Sequence, residues 1–402
     1  MGLAFFYMAK KYKIAVIGGG LAGLSFLRKA LQSDLAQEDI LLIEDSPKTK
    51  NDRTWCYWSP ELLFPEIPHV AERNKVTLSA SLVNTTKSLK KCKYYELNSL
   101  AFYNCIYDKI RETKNIDVVY DKVVNLSTTN GFHTITTANV TFQSDFIVNS
   151  VPKMIQKDFP VFGFNQNFYG QRIKLDKRVF SKDYVTLMDF EENLHNKVGF
   201  FYVLPYSDKE ALVEYTQLSN QIEDKAYYQA KIQKYLWEKF GVKNFEVTDE
   251  EEGAIPMTNF KFSKNPTKNI FQIGIVGGDT KSTTGYTLSS VQRTCDEIIK
   301  CISTGKLTTT KYNRFKFYDR LMLYLMEYKP KLIPNILATL FQRNDGDLVL
   351  NFLDEKTSLL DEVKIFMNLP WAPFLNALKN IYLKKYEADL QIDTKSVVGG
   401  NV

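Results

Sequence analysis

The N-terminal stretch carries short β-branched apolar runs separated by segments of helical spacing. Residues 13–17 form one such run; Gly18, Gly20 and Gly23 follow, and helical spacing sets in over 24–31. Residues 39–43 form a second run of buried-strand type, closed by Glu44 and Asp45. Strand, glycine turn, helix, strand and acid is the order of a βαβ unit. Leu100, Tyr103, Ile106 and Ile110 predict a helix over 95–111. Further strands are expected at 118–120, 123–126, 132–136 and 145–149, with a turn at Thr129, Asn130 and Gly131.

The pattern changes over 168–260. Strand-type alternation at 184–188, 199–204 and 211–216 surrounds one helical stretch, 225–240, which predicts an antiparallel sheet inserted into the first domain. Glycine-rich spacing then returns: a strand over 270–276 runs into Gly277, Gly278 and Asp279, with a helix over 286–302. Beyond Thr308 the spacing is helical to about Glu387, and a polar tail follows.

Composition narrows the class. With 402 residues, 44% hydrophobic and 24% charged, the chain can bury a sizeable core and reads as globular. The five cysteines form no CxxC pair and no metal-type cluster with the three histidines, so no metal is expected and the thiols read as reduced, in a cytosolic setting. A net charge of +6 without basic blocks interleaved with aromatics argues against nucleic acid. No stretch approaches the roughly 18 apolar residues of a membrane span. The apolar run over 1–8 has its lysines after it, unlike a secretory signal, and Met8 could equally be the native start.

Gly18, Gly20 and Gly23 in the G-x-G-x-x-G spacing give a tight turn, close backbone approach to a pyrophosphate, and close packing of helix on strand. Glu44 is placed to accept from adenosine ribose hydroxyls, and its charge disfavours NADP. Gly278 and Asp279 at a late strand end favour FAD over NAD, with Asp279 either on a ribitol hydroxyl or capping the next helix.

Several blocks then resemble the flavoprotein lycopene cyclases of bacterial carotenoid pathways. They are the glycine fingerprint, residues 51–58 with Arg53, Thr54, Trp55, Tyr57 and Trp58, and residues 166–171, 187–190 and 201–205. Residues 212–216 with Glu214, 255–258, and 277–286 with Thr284, Gly285 and Tyr286 complete the set. One departure is Tyr215, where the family usually has a second acid after its catalytic glutamate. The resemblance implies redox-neutral closure of β-rings on lycopene and related linear carotenoids, with reduced FAD and NAD(P)H to maintain it. Glu214 would be the acid, kept protonated by an apolar pocket. Period-2 alternation puts it on one face with Leu212 and Thr216.

Trp55, Tyr57, Trp58 and Tyr286 would line the substrate site and stabilise cations, or simply pack. Gly18, Gly20, Gly23, Glu44, Arg53, Gly278, Asp279, Thr284 and Gly285 would hold FAD, with a surface ion pair as the other reading of Arg53. Asp189, Glu251 and Glu252 are possible helpers.

The expected architecture is α/β (α+β). An FAD-binding Rossmann-type domain over 10–165 and 263–305 encloses an antiparallel-sheet substrate domain over 166–262. A helical region follows over 306–390, with a tail over 391–402. Apolar stripes over 332–341 and 366–382 followed by Lys384 and Lys385 suit peripheral docking on the inner face of the cell membrane, or core packing. Competing readings are a monooxygenase or geranylgeranyl-type reductase of the same fold, and a non-catalytic carotenoid- or flavin-binding protein.

Overall fold

The computed structural model describes residues 10–80, 83–129, 131–151, 163–191, 194, 197–306 and 313–382. It separates into two compact units, one within 1–73, 91–161 and 260–311, the other within 74–90, 162–259 and 312–402.

The first unit is built on a sheet whose strands Ile116–Tyr120, Ile40–Glu44, Lys11–Ile17 and Thr141–Asn149 lie parallel in that order. Phe132–Thr137 and Val123–Thr129 extend it antiparallel, and Ile270–Gln272 joins Thr141–Asn149 in parallel. Such strands are covered on both faces, which explains their unbroken apolar runs. Ile14, Val16 and Leu42 belong to a core shared with helices Leu21–Ala30, Ser99–Arg111 and Leu288–Thr304. Ala15, Ile17, Leu41 and Ile43 pack on the other side with Ile135 and Phe142.

Two expectations shift here. The helix expected from residue 95 starts at Ser99, because Asn98 caps it by accepting the Ala101 N–H at 3.0 Å. Tyr95 and Leu97 lie instead in a strand, Lys93–Asn98, paired with Thr54–Ser59 and Ala71–Arg73. The strand expected over 270–276 ends at Gln272, where Gly274, at φ +75°, turns the chain into a short 3₁₀ segment, Gly274–Gly277.

The second unit holds a seven-stranded sheet in the order Glu246–Thr258, Gly163–Lys174, Glu210–Ser219, Val198–Pro205, Val185–Phe190, Lys75–Ala80, Val83–Ser88. Residues 74–90, expected in the first domain, belong here because Val76 to Ser79 pair with Val185 to Asp189. One sheet face carries Ala211, Val213 and Tyr215 beneath helix Lys225–Phe240, which contributes Tyr228, Ile232 and Leu236. Asp224 caps that helix and Gly241, at φ +65°, ends it. The helical region beyond residue 312 also groups with this unit, as helices Arg314–Tyr328, Ile333–Arg343, Gly346–Leu353, Leu359–Met367 and Trp371–Tyr382. The polar tail and the run over 1–8 lie outside the described residues.

Candidate active site

In the first unit, the fingerprint glycines meet three different demands. Gly18 sits at φ +96°, where a side chain is strained. A Cβ on Gly23 would lie 1.9 Å from the Gly18 carbonyl oxygen, so helix and strand touch only because it is absent. Gly20 faces open space, with nothing within 4 Å of a Cβ position. It is also the N-cap of helix Leu21–Ala30 and supplies no side-chain cap, so the first-turn amides are left for another acceptor. These features fit a pyrophosphate.

Glu44 is buried at the strand end; one oxygen accepts the Gly19 N–H and the other pairs with Lys48 at 3.1 Å. A carboxylate offers about four lone-pair positions, so acceptor capacity remains for ribose hydroxyls. Lys48 offsets part of the charge on which the exclusion of NADP rests. Asp279 is almost fully enclosed. It accepts from the Gly274 N–H at 2.7 Å and the Thr294 hydroxyl at 2.6 Å, with Lys264 at 3.5 Å. Burial pushes its carboxyl above the ordinary range.

It is therefore a clasp for the turn after Ile270–Gln272. The following helix starts only at Leu288, so the expected alternative of Asp279 as its cap fails on distance along the chain. Gly278 and Gly285 both lie at positive φ, 71° and 74°. Between them the Thr284 hydroxyl is buried without a partner, an unused hydrogen-bonding group in the loop expected to meet the flavin. Arg53 is exposed and donates to the Asp52 carbonyl at 2.6 Å.

In the second unit, Glu214 lies on strand Glu210–Ser219 and is only 9% exposed. Alternation places it on the face away from helix Lys225–Phe240, with Leu212 and Thr216. The Thr216 hydroxyl donates to Glu214 Oε1 at 2.7 Å. Burial first, then the charge of Glu251, pushes the Glu214 carboxyl up to about 8 against that hydrogen bond. A buried acid that keeps its proton at neutral pH can donate to a very weak base.

The profile of the family described as lycopene cyclase protein matches residues 13–379. The chain belongs to the lycopene cyclase family. No curated protein matches it. Among solved structures it is similar to a geranylgeranyl bacteriochlorophyll reductase-like protein of Thermoplasma acidophilum, at 14% identity over 95% of this chain and 99% of that one, TM-score 0.57. It is also similar to p-nitrophenol 4-monooxygenase of Pseudomonas putida, at 12% identity over 91% and 98%, TM-score 0.57. A variant of the halogenase PltM in complex with FAD matches at 9% identity over 86% and 79%, TM-score 0.54. These likenesses establish the fold.

In this lycopene cyclase family member the expected substrate aromatics divide by strand alternation. Trp55 packs edge-on against Phe102 and Tyr103 of helix Ser99–Arg111. Tyr57 is enclosed beside Phe64 and Tyr95, its hydroxyl paired with His69 at 2.6 Å and accepting the Leu63 N–H at 3.2 Å. Both belong to the core of the first unit. Trp58 points the other way, 4.4 Å from Tyr286 between ring centres, and the Tyr286 hydroxyl meets that of Tyr94 at 3.1 Å. Only Trp58 and Tyr286 of the four therefore form one group.

Asp189 is tied to Lys239 and Tyr235 on the helix-covered side of the second sheet, which removes it as a helper. Glu252 is exposed. The aromatics that do surround Glu214 went unforeseen. Tyr202 stands opposite it, and Phe168 and Phe200 stand opposite Thr216 on the same face, all half-buried. A Cβ on Gly253 would strike the Phe168 ring at 2.7 Å, so that glycine gives the ring its room. Their signal is strand register, which a single sequence does not display.

Proposed function

We propose that the protein is an FAD-dependent lycopene β-cyclase, and the observation that carries the reading is Glu214, buried among half-buried aromatic rings where desolvation pushes its carboxyl up to about 8. Glu214 donates its proton to the terminal double bond of the linear carotenoid. The neighbouring alkene attacks the resulting cation and closes the six-membered ring. A ring proton then leaves to the Glu214 carboxylate, so atoms and electrons are conserved. Phe168, Phe200 and Tyr202 offer ring faces to the cation, and the two phenylalanines put no lone pair in the place of water.

Gly18, Gly20 and Gly23, with Glu44, Gly278, Asp279, Thr284 and Gly285, would hold the dinucleotide; Arg53 would reach its pyrophosphate or ring edge, and Asp279, which clasps its own loop, would meet a ribitol hydroxyl. Reduced FAD, when bound, supplies negative charge that stabilises a carbocation, with NAD(P)H maintaining the reduced form. Expression in a lycopene-accumulating bacterium tests the reading. A change from red to yellow with β-ringed product is expected. Unchanged lycopene, or NAD(P)H consumed stoichiometrically with product, replaces it with the reductase or monooxygenase reading.

The substrate class suits attachment to a membrane surface on the cytoplasmic side. Among the described residues no helix is long and apolar enough to cross a membrane. The stripe expected over 332–341 is mostly core, with Ile333, Ile336, Leu340 and Phe341 buried. Of the stripe expected over 366–382, Met367, Trp371 and Leu375 are exposed while Ala377 and Ile381 are buried; Lys384 and Lys385 lie outside the described residues. Leu359, Leu360 (75% exposed) and Val363 join the exposed side chains on the last two helices. Lys364 and Lys379 share these helices and suit anionic headgroups. Flotation with anionic phospholipid vesicles is expected to carry the protein upward. Leu360→Ser with Met367→Ser and Trp371→Ser should leave it at the bottom while it remains folded; equal flotation of the triple variant refutes the surface.

A further inference from the structure

Four acids follow one another at Asp249, Glu250, Glu251 and Glu252 on the edge strand Glu246–Thr258. Strand alternation sorts them. Glu250 turns to the helix-covered face, where Lys225 pairs with it and Tyr169 and Gln171 donate to it. Glu251 turns to the opposite face. Across the sheet, Gly170 stands in register with Glu251 on one side and with Glu214 on the other. Residues in register on successive strands project to the same face.

The intervening position has no side chain. A Cβ at Gly170 would meet Leu212 Cδ1 at 3.1 Å, Glu251 Cγ at 3.4 Å and Glu214 Cβ at 3.5 Å, so the two acids flank the glycine with only a Leu212 methyl group beside them there. We propose that Glu251 is the second carboxyl of the acid site, a positioning residue that acts through Glu214 across Gly170 to keep the proton there; the inference rests on the cyclase reading above.

Two carboxyls in one site resist ionising together, and the proton stays on the more desolvated member. Glu214 is that member, and Glu251 is half-buried. Once Glu214 has given its proton to the alkene, repulsion between the carboxylates makes it the better base for the ring proton, which restores the starting state. Arg172 and Asp249 stand in the next row beside Leu212, Tyr202 stands opposite Glu214, and Thr216 donates to it. Helix Arg314–Tyr328, packed on strand Gly163–Lys174, carries Asp319, Arg320 and Glu327. Of these charges, that of Glu251 bears on Glu214. The acid missing at Tyr215 is thus supplied from two strands away.

The test combines infrared titration of the protonated carboxyl stretch, assigned with Glu214→Gln, with the pH–rate profile of ring closure. In Glu251→Gln the titration midpoint and the alkaline limb are both expected to move down by roughly one pH unit, with several-fold loss of rate at pH 8. Glu251→Asp, which keeps the charge, should return both close to the parent. An unmoved midpoint in Glu251→Gln overturns the proposal even if the enzyme cyclises. A shifted midpoint in a protein that closes no rings supports the pair and defeats the cyclase reading instead.

Discussion

Glu214→Gln is expected to lower ring closure by about 10³-fold, within the range that a general acid contributes, while flavin stays bound. The amide matches the carboxyl in shape and can still accept from the Thr216 hydroxyl that now donates to Oε1 at 2.7 Å. What it cannot do is hand over a proton. In the parent, the Glu214 carboxyl titrates at about 8, so the acid is mostly loaded at neutral pH and activity should fall as pH rises through that value. Product analysis of lycopene turnover, with flavin absorbance of the purified variant as the control, checks the prediction. Substantial turnover by Glu214→Gln would remove the acid from the mechanism.

The same substitution should stabilise the protein, and increasingly so at higher pH. The folded-state value of about 8 lies above the ordinary 4.5, so between those limits the folded chain holds a proton that the unfolded chain has released. Stability is therefore lost as pH climbs through that window and levels off above it. The full difference is on the order of 5 kcal/mol, at about 1.36 kcal/mol per pH unit. Glutamine has no proton to hold and escapes this slope. Denaturant titrations of parent and variant should agree near pH 4.5 and diverge by pH 9. Parallel curves would mean that Glu214 is well solvated. An acid poised for use is expected to carry such a penalty.

How much of this could be read from the chain depends on whether the signal is local. The turn through Gly18, Gly20 and Gly23, the strand before it and Glu44 after it are set by nearest neighbours along the sequence, and the structure places them as expected. The alternation around Glu214 is local too, and the face with Ala211, Val213 and Tyr215 is the one beneath a helix. Register is not local. Nothing within residues 246–258 tells that this acid-rich, largely exposed segment is an edge strand, since edge strands carry charge where inner strands carry apolar side chains. The pairing of Glu251 with Gly170 comes from that non-local source, and so does the packing of helix Ser99–Arg111 on the Trp55 side, whereas the division of Trp55 and Tyr57 from Trp58 is plain alternation. Helix spacing over 95–111 misled at its start because Tyr95 and Leu97 satisfy either period until the Asn98 cap decides.

The chain leaves the first unit after Arg73, returns at Lys91, leaves again before Phe162 and returns at Phe260. A ribosome releasing this protein therefore finishes neither half before the other is well under way. The parallel sheet awaits Ile270–Gln272, and the hairpin over 75–88 emerges long before its partner Val185–Phe190. Excising either half as a fragment would cut the thread at several points, so truncated forms should be insoluble rather than partly functional. Random drift would likewise find few routes for shuffling these halves between genes.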